Sequence, residues 1–209
     1  MSGTVLIADD HPLFRQALRL AVEKVLPATA IVEAGTLASA AGAAAAADDL
    51  RLILLDLKMP GAIGYSGIAL LHAERPEVPI LVVSSADGAA AADEVRAFGA
   101  IGFLHKGSDL SVIETAVERA VGHRPPASSP RADDSEDGIR ETVAGLTPMQ
   151  LKVLLAVLDG QLNKQIAHGL GISEATVKAH MTAIMRKLDV RSRTQAALVA
   201  RSLGLDLAH

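Results

Sequence analysis

Between residues 5 and 122, short and uninterrupted apolar runs alternate with longer stretches in which apolar positions recur every three or four residues. The short runs occupy 5–8, 30–33, 52–55, 80–83 and 101–104, and their length and β-branched content predict strands. The longer stretches predict helices. The first carries Leu13, Phe14, Ala17, Leu18, Ala21 and Val22, and others follow at about 36–47, 67–74, 93–98 and 110–121. Five strands interleaved with five helices predict an α/β doubly wound parallel sheet. Continuous rather than alternating apolar strands agree, because central parallel strands are covered on both faces. The alanine run at 43–47 reads as helix interior, alanine being the strongest helix former.

The pattern breaks at His123. Pro125, Pro126, Pro130, three serines and a cluster of acidic residues follow without periodicity, which predicts a flexible linker over 123–145. Residues 146–209 then read as a small all-α domain. Thr147 before Pro148 opens a helix that runs to Leu158, a second spans about 163–170 and stops at Gly171, Ser173 caps a third to about Leu188, and Ser192 opens a fourth to Leu203. The short, glycine-containing break between the second and third is a helix-turn-helix signal.

Charge separates the two halves. Lys and Arg minus Asp and Glu give −6 over 1–122, −2 over 123–145 and +4 over 146–209, so only the C-terminal part suits a polyanion. Three Phe, one Tyr and no Trp require a core of Leu, Ile, Val and Ala. With no Cys, disulfides, thiolate metal sites and cysteine nucleophiles are excluded, and a cytoplasmic location is expected. No apolar run approaches the roughly 20 residues that span a bilayer, and no export signal is seen, so no membrane partner is expected.

The candidate chemistry falls at the ends of the expected strands. Asp9 and Asp10 follow the first, Asp56 the third, Ser84 the fourth and Lys106 the fifth. In an open α/β sheet these positions share the carboxyl edge, where ligands bind. Three carboxylates there repel one another unless a cation intervenes, and an all-oxygen ligand set of this charge suits Mg²⁺. Ala8-Asp9-Asp10-His11-Pro12, Leu55-Asp56-Leu57-Lys58-Met59-Pro60-Gly61, Ser84 and Phe103-Leu104-His105-Lys106 resemble a response-regulator receiver domain, which has a flavodoxin-like fold. The resemblance implies that Asp56 is the phosphoacceptor. It implies that Asp10, Asp56 and the backbone carbonyl of Lys58 hold Mg²⁺, with Asp9 supporting it through water. Ser84 and Lys106 would take the phosphoryl oxygens, and Phe103 would move with Ser84 in the switch. After Gly61 the chain reads Ala62-Ile63-Gly64-Tyr65-Ser66-Gly67 where many receivers are shorter, so Tyr65 is expected to influence access of the phosphodonor. His11 is expected to cap or line the pocket.

In the C-terminal part, Leu146-Thr147-Pro148, Asn163-Lys164-Gln165-Ile166-Ala167, Leu170-Gly171-Ile172-Ser173, Thr176-Val177-Lys178 and Arg186-Lys187-Leu188 resemble the LuxR-type helix-turn-helix. With the receiver in front, the chain is similar to response regulators of the NarL/FixJ class. Ile172, Val177, Met181, Ile184 and Leu188 form an apolar stripe on the third helix, with Lys178, Ala179, Thr182 and Arg186 outside or beside it. The resemblance implies that Lys178, Ala179 and Thr182 face bases of double-stranded DNA, and that Asn163, Lys164, Thr176 and Lys187 contact phosphates. Met149-Gln150-Leu151-Lys152 departs from the Arg/Glu-rich stretch usual there, and His180 reads as a packing or phosphate-adjacent residue.

A phosphorylation switch is therefore expected, with a histidine kinase as donor, DNA as target, RNA polymerase as a further partner and a homodimer in the phosphorylated or DNA-bound state. Phosphoryl acceptance would be self-catalysed, without turnover. The alternative is a phosphorylation-independent transcription factor whose receiver is a protein-docking module; its mark would be loss of an acidic residue, Ser84 or Lys106, and none is lost. A hydrolase using an aspartyl-phosphate needs an acid/base two residues after the nucleophile, and Lys58 stands there.

Overall fold

The structure, a computed structural model, describes residues 3–62, 64–85, 94–96, 98–122, 145–202 and 205. The chain divides into two compact units, Met1–Arg131 and Ala132–His209. The first contains β1 (Thr4–Ala8), α1 (Pro12–Val25), β2 (Ala30–Ala34), α2 (Leu37–Ala46), β3 (Leu50–Leu55), α3 (Ser66–Glu74), β4 (Ile80–Ser84), β5 (Gly102–His105) and α4 (Leu110–Gly122). The helix expected near 93–98 lies partly outside the described residues, of which 94–96 are helical; the expected linker lies outside them up to residue 144.

All five strands pair in parallel in the order β2-β1-β3-β4-β5. Strand parity sorts the core. Val5, Ile7, Leu52, Leu54, Leu81, Val83 and Leu104 meet Leu18, Ala21 and Val22 of α1 and Ile113, Val117 and Ala120 of α4. The intervening Leu6, Ile53, Leu55, Ile80 and Val82 are also buried, and α2 and α3 pack together beside β1, β2 and β4. Burial on both faces explains why these strands lack alternation. Each such aliphatic side chain contributes about 1.5–3 kcal/mol.

Helix starts follow local chemistry. The Thr36 hydroxyl accepts from Ser39 N at 3.1 Å while Ser39 Oγ accepts from Thr36 N at 3.2 Å, a reciprocal cap on α2. Pro12 occupies the first turn of α1, where its missing N–H costs nothing.

The second unit contains α5 (Pro148–Leu158), α6 (Asn163–Leu170), α7 (Glu174–Lys187) and α8 (Arg193–Ser202). Thr147 and Gln150 form a reciprocal cap on α5, and Ser173 Oγ accepts from Thr176 N to start α7. Gly171 ends α6 at φ +66°, a left-handed turn that glycine adopts freely. Leu151, Leu154, Ile166, Val177, Met181, Ile184, Leu188, Ala196 and Ala200 build its core. Among the described residues no helix is long and apolar enough to cross a membrane.

One packing contact in the first unit is sensitive to pH. Gly99 has φ +101°, and a Cβ there would lie 2.6 Å from His72 Cγ, so the imidazole of α3 fills the space a side chain would occupy. His72 Nδ1 is buried and finds no hydrogen-bond partner among the described residues, and desolvation lowers its pKa below the ordinary 6.5, against the opposing charge of Glu77. A depressed base favours the neutral form in the fold. Its contribution to stability is complete above pH 6.5 and is lost as pH falls through the lower folded value. Urea titrations from pH 7.5 to 5 are expected to show falling stability of the first unit, with a shallower slope in His72→Leu; equal slopes would show that His72 does not titrate in this way.

Candidate functional site

The parallel ladder brings the acidic residues together. Asp9 N donates to Ala34 O at 3.0 Å, Asp56 N to Ala8 O at 2.8 Å and Lys106 N to Ser84 O at 2.8 Å. Each residue is thus the first beyond its strand with its amide held by the terminal carbonyl of the neighbouring strand. Because β1 lies beside β3, Asp9 stands next to Asp56, and β4 separates β3 from β5.

Ligand atoms of Asp9, Asp10, His11 and Asp56 lie within 4.8 Å of one another, the one such group among the described residues. Asp9, Asp56 and Ser84 are buried, whereas Asp10 is partly and His11 largely exposed. Lys106 Nζ lies 2.7 Å from both Asp9 Oδ2 and Asp56 Oδ2. Burial works against its charge, but its hydrogen bond to Asp56 and its close pairing with the Asp9 carboxylate outweigh that and raise its pKa. The Phe14 ring of α1 stands 5.0 Å below the same ammonium, a cation–π contact.

Backbone amides hold the other carboxylate oxygens. His11 N donates to Asp9 Oδ1 at 2.8 Å and Lys58 N to Asp56 Oδ1 at 3.1 Å. Among the described residues, Asp9 Oδ2 and Asp10 Oδ1 are buried without a well-directed hydrogen bond; the Lys106 ammonium lies 2.7 Å from the first and His11 Nδ1 2.7 Å from the second. Phe103 is half-buried on β5 opposite Val82, on the sheet face that Ser84 shares. His11 does line the pocket, but its side chain makes no capping hydrogen bond. The Tyr65 ring stacks on Phe98 with centroids 5.2 Å apart, and its hydroxyl donates to Glu94.

Two residues of this neighbourhood escape a sequence reading. Arg15 NH1 donates to the backbone carbonyl of Asp9 at 2.7 Å, and its Nε donates to Glu33 Oε2 at 3.1 Å. An arginine four residues after His11 on one helix face was the available signal. Nothing local pairs it with Glu33, 18 residues away on the edge strand β2.

In the second unit, Lys178, Ala179, Thr182 and Arg186 are exposed on α7, whereas Val177, Met181, Ile184 and Leu188 are buried. Thr182 Oγ1 donates to Lys178 O at 3.0 Å, so its hydroxyl is used locally. The Thr176 hydroxyl lies 2.8 Å from Ser173 Oγ, within the cap of α7. Lys164 is exposed, and His180 is half-buried. Two expected phosphate contacts have internal partners. Lys187 Nζ donates to Gly145 O at 2.8 Å and Gln150 Oε1 at 3.0 Å, tying α7 to the start of α5, and one of its three N–H groups remains. Asn163 Oδ1 accepts from Arg193 NH1 at 2.9 Å, which leaves its amide NH₂ as donor.

The first unit's pocket therefore holds a buried carboxylate beside an ammonium group and two further carboxylates, and the second unit has an exposed basic helix face. Asp10 faces two acidic neighbours, and among the described residues its close basic partner is His11, so Asp10→Asn is expected to stabilise the metal-free first unit by about 1–4 kcal/mol. Urea unfolding in EDTA checks this; a lower midpoint would contradict a net repulsion.

Residues 5–118 match the family described as response regulator receiver domain, and 144–200 that described as bacterial regulatory proteins, luxR family. The chain is 40% identical over 207 residues to the glycerol metabolism activator of Pseudomonas putida, covering 94% of each chain. It is 34% identical over 201 residues to the nitrate/nitrite response regulator protein NarP of Escherichia coli K12, covering 93% of each. A solved receiver domain of NarL from Mycobacterium tuberculosis matches with a TM-score of 0.51 and 31% identity, over 59% of this chain and 98% of that one.

Proposed function

The chain belongs to the transcriptional response regulators of the NarL/FixJ class, with a receiver domain and a LuxR-type DNA-binding domain, and from that premise we propose how its residues carry the switch. The receiver spans 1–122, the linker 123–145 and the DNA-binding domain 146–209. Asp56 accepts the phosphoryl group from a partner histidine kinase. The observation that supports this most directly is Asp56 buried at the carboxyl edge, 2.7 Å from the Lys106 ammonium and beside Asp9 and Asp10.

Two buried carboxylate oxygens, on Asp9 and Asp10, have no directed donor among the described residues and fit a hard cation with oxygen ligands. Asp10, Asp56 and the Lys58 carbonyl would hold Mg²⁺, with Asp9 acting through water; the ion would neutralise charge on the incoming phosphoryl oxygens. The remaining work belongs to the chain. An Asp56 carboxylate oxygen forms the new O–P bond as the donor's P–N bond breaks, and the leaving nitrogen takes the bonding pair and a proton from solvent. Lys106 exchanges its contact with Asp56 Oδ2 for a phosphoryl oxygen, and the Ser84 hydroxyl donates to another. This acceptance is self-catalysed and occurs once per cycle, without release of an external product. Phe103, sharing the sheet face of Ser84, follows the hydroxyl and alters the surface near β5.

For the output, Lys178, Ala179 and Thr182 meet base edges in the major groove, the last through its methyl group because its hydroxyl is occupied. Asn163, Lys164, Thr176 and Lys187 contact phosphates, Asn163 through its NH₂ and Lys187 through its remaining N–H. Two copies bind symmetric half-sites as a homodimer, a reading that the exposed Leu198 of α8 supports. RNA polymerase is the downstream partner. Work on DNA and the absence of Cys support a cytoplasmic location.

Wild type and Asp56→Asn incubated with acetyl phosphate and Mg²⁺, and resolved on a phosphate-affinity gel, test the acceptor. A hydroxylamine-labile band in wild type alone is expected; no band where a control receiver labels would favour a docking receiver instead. On a duplex selected from a random pool by the wild-type chain, Lys178→Ala is expected to cost about 1–3 kcal/mol and relax preference at one base pair. Lys164→Ala should weaken all sequences alike and shrink the salt slope by about 1. Fluorescence anisotropy separates the two patterns, and identical behaviour of both variants would overturn the division of roles.

A further inference from the structure

The loop that carries Asp9, Asp10 and His11 is held from outside the acidic pocket. Asp9 N donates to Ala34 O at 3.0 Å, and Asp9 O accepts from Arg15 NH1 at 2.7 Å, so both polar groups of its backbone are fixed. Its Oδ1 accepts from His11 N at 2.8 Å, which leaves Oδ2 as the oxygen that reaches Lys106. Arg15 is itself oriented. Its Nε donates to Glu33 Oε2 at 3.1 Å, while Arg19 holds Glu33 Oε1 through two further donors at 2.8 and 3.0 Å. Arg15 N also donates to His11 O at 3.0 Å. The carbonyl of Asp9 belongs to the peptide plane from which Asp10 starts, so the guanidinium sets the plane that presents both carboxylates.

We propose that Arg15, clamped by Glu33, is a positioning residue that orients the Asp9–Asp10 peptide for divalent-cation binding. This rests on the reading of the pocket as the cation site of the phosphoacceptor. Charge alone predicts the opposite effect. A guanidinium near the pocket repels a cation, and Glu33 offsets that repulsion, so the pair supplies orientation rather than net charge. The sign of the change on removing Arg15 therefore separates the two physical effects. Positioning groups behind metal ligands typically govern affinity by about 10–100-fold.

The test uses the full chain, free of phosphodonor, titrated with Mn²⁺ and followed by electron paramagnetic resonance. Wild type, Arg15→Gln, Arg15→Lys, Glu33→Gln and Asp56→Asn are compared, each with a urea midpoint to establish that it is folded. Arg15→Gln is expected to raise the Mn²⁺ Kd about 10-fold, with Glu33→Gln affected less and Arg15→Lys partly restored. Labelling by acetyl phosphate at saturating Mg²⁺ should stay within about 2-fold of wild type for all three clamp variants, because alignment is recovered when the cation is forced in. Unchanged or tighter Mn²⁺ binding in folded Arg15→Gln, with wild type both binding and labelling, overturns the clamp alone. A wild type that neither binds Mn²⁺ nor labels overturns the clamp together with the reading of the pocket. Should Arg15→Gln not fold, Glu33→Gln decides: an unchanged Kd there overturns the clamp.

Discussion

Like charges held close together at the carboxyl edge of the sheet are the constraint on which the first unit turns. Asp9, Asp10 and Asp56 present oxygens within 4.8 Å of one another, and two of the three side chains are buried. Such an arrangement is costly in a low-dielectric setting. It persists because the backbone has no freedom to relieve it. Three amides, those of Asp9, Asp56 and Lys106, are bonded to the carbonyls that end adjacent strands, and the strands are fixed by apolar side chains on both faces. The Lys106 ammonium answers part of the charge, and a divalent cation with a phosphoryl group would answer more. A pocket that is electrostatically incomplete is one whose surroundings can respond when charge is added.

Fixing the carboxylates requires more than the strands. Asp9 is approached by α1 through His11 N and Arg15, and Arg15 is backed by β2 through Glu33. Phe14, one residue earlier on α1, lies under Lys106. The first helix thus contributes its first turn to the acidic loop and its inner face to the core. Tyr65 links the segment after β3 with Phe98 through ring stacking and with Glu94 through its hydroxyl.

The DNA-binding unit solves a different problem, exposing a helix face while burying the rest of a very small domain. Caps at Thr147 and Ser173 satisfy helix-start amides, and Gly171 turns the chain between α6 and α7. Basic side chains are divided between tasks. Lys187 and Arg193 secure α7 and α8 to carbonyls and amides of the start of α5 and of α6, whereas Lys164 and Lys178 stay exposed. A net positive charge on this half and a negative one on the other directs a polyanion to it.

Among the described residues, the amino-acid sequence by itself determined the element order, the parallel sheet, the helix-turn-helix and which carboxylates meet at the acidic edge. Those features arise from local periodicity and from the rule that parallel strands place their carboxyl ends together, so they are written in short stretches of chain. Helix ends at Thr36, Thr147, Gly171 and Ser173 were legible for the same reason. Side-chain partners distant in sequence were decided only by the tertiary structure: Arg15 with Glu33, Lys106 with Phe14, Tyr65 with Phe98, Lys187 with Gln150. Lys187 illustrates the difference. On a basic surface it reads as a phosphate ligand, and folding brings a carbonyl and an amide oxygen to within hydrogen-bonding distance of it. A long side chain takes whichever partners packing sets beside it, and packing depends on the whole chain.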